Sequence, residues 1–237
     1  MKTRSFLLAA GISLALAFTF SCDSGGGGDG TGGGSSSSGG GGPGPGGNSS
    51  SGGGNNPGGG GYTGPYGSVS HGGKTYKTVQ IGTQTWIAEN LNYDPGTGNS
   101  ACYDNQVSNC DTYGRLYDWS TAMGVCPSGW HLPNDDEWTV LTDYVGGSST
   151  AGTKLKSTSG WSSGNGTNQY GFSALPGGYG YSGGGSFDNV GNGGRWWSAT
   201  EYNAYNAYHR IMGYSLGSVL RADYSKSFLF SVRCVQD

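Results

Sequence analysis

Thirteen residues, Cys126-Pro127-Ser128-Gly129-Trp130-His131-Leu132-Pro133-Asn134-Asp135-Asp136-Glu137-Trp138, constrain this chain more than any other stretch. A cysteine, two prolines and a tryptophan lead directly into a helix start. Asn134 is placed as the N-cap, where its side-chain oxygen can accept from the open N–H groups of the first turn. Glu137, three residues on, can reach back to the cap and close a capping box. Asp135 and Asp136 set negative charge against the positive end of the helix dipole. Trp138, Leu141 and Val145 then share one helical face, and Gly146-Gly147 supplies the stop. The stretch is a covalently anchorable turn that lays one amphipathic helix on a core.

What surrounds it divides sharply. Residues 1–22 read as an export signal, with Lys2 and Arg4 ahead of an apolar run from Phe6 to Phe20. The run is too short for a comfortable membrane span. Ser21-Cys22 ends it as a lipoprotein signal ends, making Cys22 the lipidation site and the membrane a partner through that anchor. Thr19 and Phe20 stand where a leucine and a small residue are more usual, and an ordinary cleaved signal with a stray cysteine is the plain alternative. Residues 23–67 hold little but Gly, Ser, Asn and Pro, which offers no apolar surface to offset chain entropy. They read as a disordered linker with a reach on the order of 35–40 Å. Residues 68–237 are enough for one domain with a core.

Of 12 basic and 15 acidic residues, Lys2, Arg4, Asp23 and Asp29 lie ahead of that domain, which leaves it 10 against 13. A weakly acidic domain lacks the basic face that nucleic-acid phosphate requires. Low charge with abundant Gly, Ser, Asn, Tyr and Trp is the composition of an extracellular, hydrogen-bonding surface. Setting Cys22 aside leaves four cysteines, an even number in an exported domain, so disulfides are the default. Four cysteines allow three pairings.

Strands are expected over Lys74–Ile81 and Gln84–Ile87 around a turn at Gly82-Thr83. A Gly-rich loop then carries Cys102 and Cys110, and Arg115–Met123 reads as a short helix through Leu116, Trp119 and Met123. The main helix follows Asn134, with a helical turn at Thr153–Leu155. Residues 160–194 read as a long loop with a brief strand at Gly171–Leu175. Strands at Arg195–Thr200, Tyr208–Tyr214, Val219–Tyr224 and Phe228–Val235 close an α+β domain of two main helices and an antiparallel sheet.

Six segments carry a family resemblance. They are the Cys126–Trp138 stretch, Gln84–Leu91 (QTWIAENL), Tyr113–Tyr117 (YGRLY), Gly171–Gly178 (GFSALPGG), Trp196–Glu201 (WWSATE) and Ser231–Val235 (SVRCV). In this order the chain resembles the Fibrobacter major paralogous domain of bacterial surface proteins. That family is similar in pattern to the formylglycine-generating-enzyme group, and the resemblance implies a C-type-lectin-like fold. It brings no settled activity with it. A lectin-like fold needs its ends brought together, which favours Cys126–Cys234, leaving Cys102–Cys110 to close a small polar loop. The longer bridge would contribute about 4–5 kcal/mol in the chain-entropy model.

Candidate chemistry is thin. Gly213-Tyr214-Ser215-Leu216-Gly217 has the letters of a nucleophile elbow, but a strand rather than a helix is expected after it and His209 precedes the serine. Among 51 glycines such a match is cheap. Gly178–Gly183 matches a dinucleotide fingerprint by letter only, with no βαβ unit to present a helix N-terminus. The formylglycine resemblance would imply a reactive cysteine pair, and no cysteine here stands in such a motif. His71, His131 and His209 are scattered, and His131 reads as a packed histidine bonded to backbone. No cofactor is called for, although Asp188, Asn189 and Asn192 bring oxygens that Ca²⁺ accepts; the plainer reading is a polar turn. Tyr179, Tyr181, Tyr202, Tyr205 and Tyr208, interleaved with Asn and Gly, suit stacking on sugar rings or filling a protein interface. The plainer reading is that they face the core of a domain poor in aliphatics. Together these features lead to a lipid-anchored outer-membrane or cell-surface protein, non-catalytic, binding glycans or other surface proteins through residues 160–210. The alternatives are an enzyme related to the formylglycine-generating group and a purely structural or protein-binding module.

Overall fold

The structure, a computed structural model, describes residues 61–237. The export signal, Cys22 and the linker up to residue 60 lie outside the described residues. Packing starts upstream of residue 68: Tyr62 and Tyr66 lie against the core, and the Tyr62 amide donates to the Asn168 carbonyl at 3.0 Å.

Among the described residues two sheets and four α-helices make a mixed, mostly stranded domain. In chain order the strands open with β1 (Gly67–His71), β2 (Lys74–Ile81), β3 (Gln84–Ile87) and β4 (Ser100–Ala101). Next come α1 (Val107–Tyr113), β5 (Leu116–Tyr117), α2 (Trp119–Ala122), β6 (Trp130–His131), α3 (Asp135–Tyr144) and α4 (Ser148–Leu155). The second half is stranded: β7 (Gly177–Gly180), β8 (Phe187–Val190), β9 (Gly193–Glu201), β10 (Asn206–Gly213), β11 (Leu220–Ser225), β12 (Phe230–Ser231) and β13 (Val235–Gln236). The first sheet runs β1-β2-β3-β13-β6 and the second β11-β10-β9-β12-β5-β4, with β7 beside β9 and β8 beside β7. Most pairs are antiparallel; β12 and β7 each meet β9 in parallel. Among the described residues no helix is long and apolar enough to cross a membrane.

Local rules explain most elements. His71 and Lys74 pair across Gly72 and Gly73, whose φ angles of +57° and +78° are those a two-residue hairpin turn demands. The capping box of α3 is complete: Asn134 Oδ1 accepts from the Glu137 amide at 2.9 Å, and Glu137 Oε2 from the Asn134 amide at 2.8 Å. Other expectations need correction. Arg115–Met123 is not one helix: Leu116 and Tyr117 are buried in a strand, and Asp118 caps a new helix by accepting from the Thr121 amide. The supposed loop around Cys110 holds α1, and the turn at Thr153–Leu155 is the end of the eight-residue α4. Gly171–Leu175 is not a strand; the strands of that region are β7 and β8. Phe228–Val235 is not one strand either. Its residues divide between β12 in the second sheet and β13 in the first, so this segment stitches the sheets together.

Disulfides join Cys102 to Cys110 and Cys126 to Cys234. Trp196 and Trp197, adjacent on β9, point to opposite faces as strand alternation requires, and each is fully buried in a different core cluster. Between the clusters lies a polar hub. Asn90 Oδ1 accepts from Trp196 Nε1 and from Arg233 Nε, both at 2.9 Å, while its Nδ2 donates to the Tyr113 carbonyl at 2.8 Å. Arg233, with no exposed surface, donates further to the carbonyls of Ile87, Phe172 and Ser173. Its guanidinium lies 4.5 Å from the Phe172 ring centroid. Residues from five of the six resemblance segments thus meet at one buried point, and Cys234, next to Arg233, ties in the sixth.

Candidate functional site

The exposed aromatic residues of the second sheet have a different origin. β9, β10 and β11 pair with His209 opposite Trp197 and Ala222, and Ile211 opposite Arg195 and Leu220. Alternation places Arg195, His209, Ile211, Leu220 and Tyr224 on one face, and Tyr208, Arg210, Met212 and Arg221 on the other. β7 brings Tyr179 onto the first face, where Tyr181 and Phe228 close the cluster. Tyr179 and Tyr181 lie 5.5 Å apart, Tyr181 and Phe228 5.3 Å, and Tyr224 and Phe228 4.6 Å, centroid to centroid. Tyr181 and Tyr224 keep 40% and 39% of their surface in water, against 0% for Phe230 beneath them, so the cluster is a platform and not a core.

A shallow depression of about 180 Å³ adjoins it, lined by Tyr179, Asn189, Asn192, Arg195, Tyr214 and Ser215 among others. Its two asparagines can both donate and accept. Burial, together with Arg195 and Arg210 nearby, drives the His209 pKa down to about 3, so the imidazole beneath the platform is uncharged. Burial, the Tyr181 hydroxyl and Asp188 push the Tyr179 phenol up, so it stays protonated.

The structure separates the five tyrosines. Tyr179 and Tyr181 belong to the platform. Tyr208 lies on the opposite face, its ring 3.6 Å from the Arg221 guanidinium and 5.4 Å from Tyr202. Tyr205, 81% exposed, projects from the β9–β10 connection. Residue spacing cannot show this, because the face a tyrosine occupies depends on strand register. Asp188, Asn189 and Asn192 do stand together, but the Asp188 carboxylate accepts from the Asn189 amide at 2.7 Å and the Tyr179 hydroxyl at 3.3 Å. Among the described residues no group of three or more His, Cys, Asp or Glu side chains could hold a metal ion. The serine of Gly213–Gly217 sits in the turn between β10 and β11, with a strand after it. Gly178–Gly183 runs from β7 into a single 3₁₀ turn.

Three residues with defining roles escape a linear reading. Arg195 and Tyr224 complete the platform. Lys156, 2% exposed, ends α4 with Nζ donating to the carbonyls of Gly164 (2.7 Å), Gly213 and Leu216 (3.0 Å each) and Tyr214 (3.4 Å). One ammonium thus pins the turn that forms a wall of the depression. Its signal in the sequence is only a lysine after a buried leucine. His131 also departs from expectation: it is 40% exposed at the side chain, and its partners are carboxylates, not backbone. Nδ1 meets Asp237 at 2.6 Å and Nε2 meets Glu137 at 2.8 Å, because β6 pairs with β13 and the capping-box glutamate faces back over it.

Fold and site together define a small disulfide-clamped α+β domain with a buried polar hub and an exposed aromatic face. The sequence profile of the Fibrobacter succinogenes major domain matches residues 79–236, and the chain belongs to that family. No curated protein matches it. No solved structure does either.

Proposed function

We propose that this chain is a non-catalytic binding protein that presents the Tyr179–Tyr224 face to glycans, held at the cell surface by a lipid on Cys22. The carrying observation is the platform itself: exposed tyrosines beside a depression that holds two asparagines, with Phe230 and Trp197 packed beneath as rigid backing. Sugar rings stack on flat apolar faces, and their hydroxyls need partners that donate and accept. The C-type-lectin-like grouping is part of the proposal; it draws support from the first sheet, in which β13 near the chain's end lies beside β3. The alternative of an enzyme related to the formylglycine-generating group requires a reactive cysteine pair, and the four described cysteines are engaged in two bridges. A free-thiol count on the unreduced, unfolded protein tests that point.

The test of binding is a glycan array probed with the full chain and with a Tyr181→Ala/Tyr224→Ala variant. Specific binding that the variant lowers at least tenfold is expected, since stacking and hydrogen-bond contacts of this kind contribute about 1–3 kcal/mol. Binding left intact by the variant, or no binding at all, sinks the reading. Labelled palmitate incorporation that disappears in Cys22→Ala tests the anchor.

A further inference from the structure

Arg195 differs from every other described arginine. Arg115 pairs with Asp94, Arg210 and Arg221 share Asp135, and Arg233 is consumed by Asn90 and three carbonyls. Among the described residues Arg195 has no oxygen acceptor; its one polar contact is from Nη1 to His209 Nε2 at 3.5 Å. The imidazole is uncharged, so it orients the guanidinium without neutralising it. Three rings hold the fork in place, with centroids 4.5 Å (Tyr179), 5.5 Å (Tyr224) and 5.6 Å (Phe230) from the guanidinium carbon. Aromatic faces favour the cation but leave its N–H groups unspent. The nearby acid, Asp188, already accepts from Tyr179 and from the Asn189 amide.

A pre-oriented, permanently charged planar fork at the edge of a depression matches one chemistry best, a carboxylate held by two parallel hydrogen bonds. We propose that the depression takes an acidic sugar, a uronate, whose carboxylate is held by Arg195. This rests on the glycan reading above. Asn189 and Asn192 address the sugar hydroxyls, and the platform tyrosines stack on the neighbouring ring. One guanidinium without an oxygen partner, in a domain of 10 basic and 13 acidic residues, selects one placed carboxylate; it does not attract polyanions in general.

The experiment titrates the full chain calorimetrically with tetragalacturonate and with a glucuronic-acid oligosaccharide, each beside its carboxyl-reduced counterpart. An acidic form that binds at least tenfold more tightly than its reduced form is expected, the scale of a charge-assisted pair. The difference should shrink in 0.5 M NaCl, vanish in Arg195→Gln and return in part in Arg195→Lys. Equal affinity for acidic and reduced forms overturns the uronate assignment while leaving glycan binding in place. Binding of neither form, with no neutral glycan bound on the array, overturns both. Because carboxyl reduction alters the ligand, this comparison does not depend on how any variant folds.

Discussion

Two clusters of this domain use the same residue types for opposite ends. At the hub, Arg233 is buried against Phe172 and each of its three nitrogens donates to an oxygen. On the platform, Arg195 is held among Tyr179, Tyr224 and Phe230 and its donors find none. The hub is assembled by the segments that carry the family resemblance, while Arg195, Tyr179, Tyr181 and Tyr224 lie outside them. The segments that carry the resemblance therefore build the scaffold, and the face proposed to bind glycans lies between them.

The sharpest way to break that contrast is at the bridge beside the hub. Cys126→Ser/Cys234→Ser opens a loop with a sequence separation of 108 and should cost about 4–5 kcal/mol in urea denaturation. Arg233→Met follows, at about 3–4 kcal/mol, because the carbonyls of Ile87, Phe172 and Ser173 lose a buried donor. A loss under 1 kcal/mol would mean the hub does not hold the sheets. On the platform the sign of the contrast reverses. Tyr181→Ala should change stability by less than about 1 kcal/mol, as its ring is already partly in water, while weakening glycan binding about tenfold or more; a variant that fails to fold would return the tyrosine to the core.

The smallest effect lies at His131. Burial opposes its protonation, but the hydrogen bonds to Asp237 and Glu137 and their charges outweigh it and raise the folded-state pKa. A raised pKa means the contribution is full below the unfolded value of about 6.5 and is lost as pH rises through the folded one. Stability should therefore decline above about pH 6.5 by less than 1 kcal/mol, given the exposure of the pair, and His131→Gln should flatten that slope in pH-resolved melting.

The scaffold was legible where local rules act alone. The capping box of α3, the β2–β3 hairpin and the presence of disulfides follow from short-range chemistry. Leu116 misled because its spacing to Trp119 and Met123 fits a helix, whereas it lies in a short buried strand and the helix starts only at Trp119. The division of Phe228–Val235 between two sheets leaves no break in its apolar pattern, since each half is buried in its own layer. Of the proposed binding face, the sequence pointed to Tyr179 and Tyr181, which lie on the platform, while Tyr208 lies on the opposite face of the sheet and Tyr205 projects from a connection. Register then decided which residues share that face, and an arginine without an acceptor can be recognised only in three dimensions.

That division of the final segment also bears on how the molecule comes into being. Phe230 and Ser231 pair with Leu116, Tyr117 and Trp196, while Val235 pairs with Trp86 and His131. Both sheets are thus completed by one short stretch, residues 230–236, whose partners lie far from it along the chain. Contacts so distant along the chain are slow to form, and neither layer reaches its full strand complement before this stretch has paired. Closure of the two layers is therefore coupled, because one stretch of chain completes both.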